Sequence, residues 1–212
     1  MSYQIKEIFF SLQGEGARCG RAAVFCRFAG CNLWSGREAD RAQALCSFCD
    51  TDFRGIDGTL GGSYCATALG EQVAACWESM TANRRQRYVV LTGGEPLLQL
   101  DQRLLDVLHA HQFEVAVETN GTYPALPEID WLCVSPKANA PLVVTTGDEL
   151  KLVYPQLGAP PEQFAALGFR HFFLQPLAGT HTQQHTAQAV AYCQAHPLWR
   201  LSVQMHQLIG IA

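Results

Sequence analysis

Tyr88-Val89-Val90-Leu91-Thr92-Gly93-Gly94-Glu95-Pro96 opens on aromatic and apolar residues, crosses a threonine into two glycines and ends on a glutamate and a proline. Its apolar part is short, β-branched and stopped by a turn, which reads as a strand covered on both faces. A helix-period segment, Leu100–His111, follows closely. The same alternation recurs in both directions along the chain. Apolar runs at Ala23–Phe28, Val115–Glu118, Trp131–Val134, Leu150–Val153, His171–Leu174 and Leu201–Val203 are interleaved with helix-period segments at Thr67–Ser79, Pro161–Leu167 and Thr182–His196. Strand alternating with helix predicts parallel βαβ units in one layered α/β domain, as a doubly wound sheet or an incomplete barrel.

The strands share a habit of ending on polar residues. Ala29-Gly30-Cys31, Thr92-Gly93-Gly94-Glu95, Glu118-Thr119-Asn120-Gly121, Ser135-Pro136-Lys137 and Gln175-Pro176 each follow an apolar run. In parallel α/β folds the loops at the carboxyl ends of the strands converge on the ligand site. One such loop is an ordinary turn; all of them together mark a site.

Composition narrows the class. At 212 residues, 48% hydrophobic and 16% charged, the chain fits one core and one domain over residues 1–212. No apolar run reaches the roughly 20 residues of a membrane helix. Met1–Phe10 lacks the basic flank and cleavage site of a signal peptide. A net charge of −4 argues against a nucleic-acid binder, which needs a basic face. Nine cysteines without an export signal point to a reducing, cytoplasmic setting, where clustered thiols more often hold metal than form disulfides.

The cysteines differ in setting. Cys26, Cys76, Cys133 and Cys193 lie among apolar neighbours and read as small buried hydrophobes. Cys19 and Cys65 stand alone in Gly-containing loops. Cys31, Cys46 and Cys49 occupy a polar, turn-rich stretch, and the two-residue gap in Cys46-Ser47-Phe48-Cys49 lets one turn present two sulfurs to one metal centre. A structural zinc site closes with four protein ligands, and no fourth ligand stands nearby in sequence. Three thiolates suit a [4Fe–4S] cluster that keeps one iron for an exogenous ligand.

Here the chain resembles the radical S-adenosylmethionine (SAM) enzymes. Cys31-Asn32-Leu33-Trp34-Ser35 resembles the opening of their C-x3-C-x2-C motif, with Ser35 where the second Cys is expected and Cys46 supplying it after the solvated stretch Gly36–Leu45. Gly93-Gly94-Glu95 resembles their GGE motif. Ile8-Phe9-Phe10-Ser11-Leu12-Gln13-Gly14-Glu15-Gly16, Cys26–Trp34, Cys49-Asp50-Thr51-Asp52 and the strand-end motifs narrow the likeness to the 7-carboxy-7-deazaguanine synthase family, in the form with a C-x14-C-x2-C loop. The likeness covers nearly the whole chain, from about residue 4.

That resemblance implies a modified partial (β/α)6 barrel and a radical ring contraction. The substrate would be 6-carboxy-5,6,7,8-tetrahydropterin, converted to 7-carboxy-7-deazaguanine with loss of ammonia, on the route to queuosine. Cys31, Cys46 and Cys49 would hold the [4Fe–4S] cluster, and Thr51 a Mg2+ ion. Phe48, Cys49, Asp50, Gly94, Glu95, Ser135, Pro136, Lys137 and Gln175 would border SAM. Leu12, Gln13, Gly14, Glu15, Arg27, Thr92, Glu118, His206 and the terminal carboxylate of Ala212 would meet the pterin. No side chain is implied as an acid or base, because a 5′-deoxyadenosyl radical abstracts the hydrogen. A flavodoxin- or ferredoxin-like electron donor and a homodimer are implied as partners.

Plainer readings stand beside these. Arg27, on a core strand, needs a carboxylate, which the substrate or a structural Glu or Asp could supply. Lys137 is either a cofactor ligand or a solvated lysine, and Asp50-Thr51-Asp52 either borders a metal or caps a turn. If Leu201–His206 is extended, Ser202, Gln204 and His206 share one face and turn toward the barrel. A glycyl-radical activating enzyme on the same barrel, or a zinc-binding interaction module, are the other classes.

Overall fold

The computed structural model describes residues 2–211; Met1 and Ala212, and with it the expected role of the terminal carboxylate, lie outside the described residues. Nine strands form one open sheet in the order β3-β1-β2-β4-β5-β6-β7-β8-β9. They are β1 (Tyr3–Leu12), β2 (Ala22–Phe28), β3 (Gly62–Tyr64), β4 (Tyr88–Gly93), β5 (Glu114–Thr119), β6 (Trp131–Val134), β7 (Thr146–Tyr154), β8 (Gly168–Pro176) and β9 (Trp199–Leu201). From β2 through β4 to β9 all neighbours are parallel. β1 adds to the β2 edge antiparallel, and β3 adds to β1 in the same sense. The sheet curls without closing, as an incomplete barrel.

Helices α1 (Ala66–Met80), α2 (Gln102–Ala110) and α3 (Thr182–Ala195) cover its outer face. In α1 the buried Ala66, Leu69, Gly70, Val73, Ala74, Cys76 and Trp77 follow the helical period. Leu104, Leu105 and Leu108 of α2 meet them over Val24, Cys26, Phe28, Val89, Leu91, Val115 and Val117 of the sheet. Each such leucine contributes about 1.5–3 kcal/mol by leaving water. Asp101 caps α2 by accepting from the Leu104 N–H at 3.0 Å. Among the described residues no helix is long and apolar enough to cross a membrane.

Two expectations fail here. Pro161–Leu167 is not an α-helix: a short 3-10 turn spans Pro161–Gln163, between the prolines at its start and the buried Phe164. Leu201–His206 is not extended. β9 stops at Leu201, where Ser202 donates its N–H to the Leu174 carbonyl, and Met205 instead donates to Gly14 and opens a short helix, α4 (Met205–Ile209). The solvated stretch Gly36–Leu45 contains an exposed 3-10 segment, Glu38–Gln43.

Alternation along the strands sorts the other face by height. At the amino ends the inward residues are Ala23, Tyr88, Val90, Ala116 and Trp131, which close the barrel floor as a small core. Arg18 and Arg21 lie over the rings of Trp131 and Tyr88. Toward the carboxyl ends of the strands the inward positions turn polar, with Arg27, Thr92, Glu118, Lys151 and Gln175 lining a cavity. Register aligns Arg27 with Thr92 and Glu118 with Cys133.

Candidate active site

These polar ends line a cavity of about 270 Å3. Of the residues expected to meet the pterin, Leu12, Gln13, Gly14, Glu15, Arg27, Thr92, Glu118 and His206 line it. So do Cys31, Cys46, Phe48, Cys49, Asp50, Thr51, Gly94, Ser135, Lys137 and Gln175. Loops separated by more than a hundred residues in sequence therefore meet at the carboxyl ends of the strands.

The cavity's acidic wall is a connected set. Glu118 accepts from Gln13 Nε2 at 3.1 Å and from Thr92 Oγ1 at 3.2 Å. Glu15 accepts from Gln175 Nε2 at 3.1 Å and is paired with the Lys151 ammonium, which stands 3.5 Å from Glu118. Burial pulls the Glu15 pKa up, but Lys151, Gln204 and His206 outweigh it and hold the carboxyl below the usual range. Burial works against the Lys151 charge in the same way, and Glu118 and Glu15 overcome it, so its pKa lies well above the usual value. Glu15 and Lys151 thus hold each other in their charged forms.

Lys151 is a charged residue of the cavity wall that the sequence reading missed. It lies inside the apolar run Leu150-Lys151-Leu152, and a lone lysine at an inward position of a covered strand was the signal. Arg27 gains a protein partner: its Nε donates to Glu7 at 2.8 Å, and the rest of the guanidinium borders the cavity. Cys133, read as a plain hydrophobe, also lines the wall. Lys137 is not a solvated lysine; its Nζ donates to the Ser135 carbonyl and hydroxyl at 2.6 and 2.7 Å. Burial lowers its pKa, against the pull of Cys46 and Cys49.

Glu95 and Pro136 stand behind the wall rather than in it. Glu95 is fully buried, with Oε1 accepting from Thr119 Oγ1 (2.7 Å) and Leu97 N–H (3.0 Å), and Oε2 from Asn120 N–H (2.8 Å). Its carboxylate is spent inside the protein. Pro136 gives its carbonyl to Gln156.

The cysteine loop is drawn to the same mouth. Gly94 donates its N–H to the Phe28 carbonyl and Glu95 to Gly30, which stitches the GGE turn beneath Cys31. Asn120 donates to the Asn32 side chain at 3.0 Å. Cys31, Cys46 and Cys49 are free thiols, and the Leu33 N–H points at the Cys31 sulfur at 3.4 Å. A hydrogen bond from Cys46 lowers the Cys49 pKa to about 6, while that bond and burial raise Cys46. Among the described residues no three His, Cys, Asp or Glu side chains gather tightly enough for a single metal ion. Three thiols set around one cavity fit a cluster in which each sulfur takes a different iron.

Gly14 and His206 close the opposite rim. A Cβ at Gly14 would lie 2.1 Å from His206 Nδ1, so the imidazole can occupy its present position only against a glycine. His206 thus reaches the cavity from a helix rather than from the expected strand.

No family model matches the chain. It is 62% identical over 212 residues to the 7-carboxy-7-deazaguanine synthase of Bordetella pertussis and 61% identical to that of Bradyrhizobium diazoefficiens, in each case over 100% of both chains. The crystal structure of QueE from Escherichia coli superposes with a TM-score of 0.73 at 28% identity, covering 97% of this chain and 95% of that one. The chain, with its partial barrel and its polar strand ends, belongs to the 7-carboxy-7-deazaguanine synthase family of radical SAM enzymes.

Proposed function

We propose that this chain converts 6-carboxy-5,6,7,8-tetrahydropterin to 7-carboxy-7-deazaguanine with loss of ammonia. The observation that carries the reading is the meeting of Gln13, Glu15, Arg27 and Glu118 with Cys31, Cys46 and Cys49 in one cavity. The first set suits a pterin: the carboxyl oxygens of Glu15 and Glu118 can accept from its amino and ring N–H groups, and Gln13 supplies both a donor and an acceptor. Arg27, with one face on Glu7, offers its remaining N–H groups to the substrate carboxylate.

The three thiolates suit a [4Fe–4S] cluster, and Phe48, Asp50, Gly94, Ser135, Lys137 and Gln175 suit SAM beside it. When bound, the cluster and SAM supply the hydrogen-abstracting radical. The chain's own task is to hold the pterin against that radical and to exclude water. Thr51, next to Asp50 on the rim, suits Mg2+, which takes few protein oxygens and completes its shell with substrate and water. We further read the chain as one cytoplasmic domain, working as a homodimer with a flavodoxin- or ferredoxin-like electron donor. A glycyl-radical activating enzyme would need room for a protein segment where Glu15, Lys151 and Glu118 fill the wall.

The test is anaerobic reconstitution with iron and sulfide, followed by incubation with SAM, reductant and the carboxypterin. The expected product is 7-carboxy-7-deazaguanine, identified by its mass. Loss of iron binding is expected from Cys31→Ala, Cys46→Ala or Cys49→Ala, and retention from Cys76→Ala and Cys193→Ala. Equal iron loss from Cys193→Ala would overturn the cluster assignment. Reconstituted protein that cleaves SAM and leaves the pterin intact would overturn the substrate.

A further inference from the structure

The long cluster loop raises a physical problem that its own contacts answer. In a C-x3-C motif the short chain itself fixes the first two sulfurs relative to each other. Here fourteen residues separate Cys31 from Cys46, and most of Gly36–Leu45 is exposed. A longer segment between two anchor points has more conformations to lose when the ends are brought together. Something other than chain connectivity must set the second and third sulfurs against the first.

Ser35, at the position of the usual second cysteine, folds the insertion back. Its hydroxyl donates to Asp40 at 2.6 Å and accepts from the Arg37 N–H at 3.1 Å. The insertion then sends one side chain inward. Arg41 Nη1 donates to the Ser47 and Cys49 carbonyls, both at 2.9 Å, so it grips the turn that carries Cys46 and Cys49. Its guanidinium lies 4.0 Å from the ring centroid of Trp34, three residues beyond Cys31. Trp34 is itself fixed: it is 8% exposed, donates Nε1 to the Arg37 carbonyl at 3.1 Å and meets Phe53 edge-on. Glu38 orients the far side of the guanidinium through Nε at 2.8 Å. One planar cation thus joins the segment after Cys31 to the Cys46–Cys49 turn.

We infer that Arg41 is a positioning residue for the cluster loop, setting the Cys46–Cys49 turn against Cys31 in place of the missing short spacing. The inference rests on the three cysteines holding a cluster. A lysine does not replace this arginine, because an ammonium that bonds the two carbonyls has neither a planar face to lay on the indole nor a second nitrogen for Glu38. Turning the Ser47 and Cys49 carbonyls toward Arg41 also fixes the orientation of the peptide groups around the thiolates, and hydrogen bonding near the sulfurs tunes such clusters.

The experiment compares anaerobically reconstituted wild type, Arg41→Met, Arg41→Lys and Glu38→Gln, each checked for folding by circular dichroism. Iron and sulfide per chain, the electron paramagnetic resonance spectrum of the reduced cluster with and without SAM, and KM for SAM are measured. Arg41→Met is expected to bind less iron, to show an altered spectrum with a weaker SAM-induced change, and to raise KM for SAM about tenfold, with kcat less affected. Arg41→Lys is expected to behave like Arg41→Met, whereas Glu38→Gln, which leaves the carbonyl and ring contacts in place, stays close to wild type. Folded Arg41→Met with wild-type iron, spectrum and KM would overturn the role of Arg41, and so would full rescue by Arg41→Lys. Wild type that takes up no cluster would overturn the cluster assignment itself.

Discussion

The Lys151 ammonium is clamped on the Glu15 carboxylate, in a pair whose side chains are 7% and 13% exposed on the cavity wall. Glu118 stands 3.5 Å from the same ammonium. Without it, two carboxylates would share one enclosed site, and like charges at short range drive one of them to take a proton. Replacing Lys151 by Met keeps the stem's volume and removes the charge. Stability is expected to fall by about 3–5 kcal/mol, as when one partner of a buried pair is deleted. The double variant Glu15→Gln with Lys151→Met should recover part of that loss without recovering pterin binding. Urea unfolding checks the first point and pterin titration the second; Lys151→Met as stable as wild type would remove the pair's structural weight.

The pair also sets a pH window. Glu15 is held below its ordinary value of 4.5, so its stabilisation is complete above that value and is lost as pH falls through the lower folded value. Lys151 is held above its ordinary 10.5, so its stabilisation is complete below that value and is lost as pH rises through the folded one. Between about 4.5 and 10.5 the pair contributes fully. Unfolding free energies measured from pH 3 to pH 7 should therefore drop less steeply on the acid side in Glu15→Gln with Lys151→Met than in wild type. Parallel curves would contradict the shift.

Gly94 is squeezed rather than merely flexible. A Cβ there would lie 1.9 Å from the Gly30 carbonyl oxygen and 3.0 Å from Cys31 Cβ, against backbone that cannot move aside cheaply. Gly94→Ala is expected to cost about 1–3 kcal/mol in overpacking and to shift the root of the cysteine loop. Iron per chain after reconstitution should fall with it. Normal iron loading in a folded Gly94→Ala protein would show that the loop tolerates the displacement.

Glu95 offers a sharper discrimination. Three donors converge on its buried carboxylate, and burial raises its pKa against them. In Glu95→Gln one of those donors must face an NH2 group, which costs about 1–3 kcal/mol for the unsatisfied bond. Thermal unfolding should register that loss even in protein without cluster or SAM. An unchanged melting temperature together with weaker SAM binding would instead make Glu95 a direct ligand.

The strands that position these residues were legible because one physical rule governs them. Val89–Leu91, Val115–Val117 and Trp131–Val134 are covered on both faces, and such strands read as continuous apolar runs whatever their neighbours. Thr92, Glu118 and Gln175 stand out because each ends such a run, and Arg27 because an arginine between Cys26 and Phe28 on a core strand needs a partner. Lys151, between Leu150 and Leu152, carries the same signal, but its partner Glu15 lies 136 residues away in the chain. β1 pairs antiparallel with β2, the next strand in the chain, and its own polar–apolar alternation does not announce that it joins the edge of a parallel sheet. The carboxyl-terminal segment misled for a related reason. Ser202, Gln204 and His206 alternate as a strand would, yet the bond from Met205 N–H to the Gly14 carbonyl pulls the chain into a helix, and six residues of alternation do not outweigh that anchor.

That anchor supports the remaining prediction. Gly14 and His206 touch on the side of the cavity away from the cysteines, beside Glu15, whose carboxyl is influenced by both Gln204 and His206. A Cβ at Gly14 would sit 2.1 Å from His206 Nδ1 and 3.1 Å from the His206 backbone N. The imidazole must swing away from its place beside Glu15, and the backbone contact shifts the start of α4 by a few tenths of an ångström. Gly14→Ala is therefore expected to weaken carboxypterin binding by about tenfold, equivalent to roughly 1.4 kcal/mol. Deleting Gly210–Ala212 should act in the same direction, because it removes the bond from the Ile211 N–H to the His206 carbonyl that closes the end of α4. Iron content and SAM binding should stay at wild-type levels in these variants, since Cys31, Cys46 and Cys49 approach from other loops. Calorimetric titration of reconstituted protein with the carboxypterin separates the two effects: full pterin affinity in Gly14→Ala would place the substrate away from this rim, and a parallel loss of iron would mean that the two sides of the cavity are not independent.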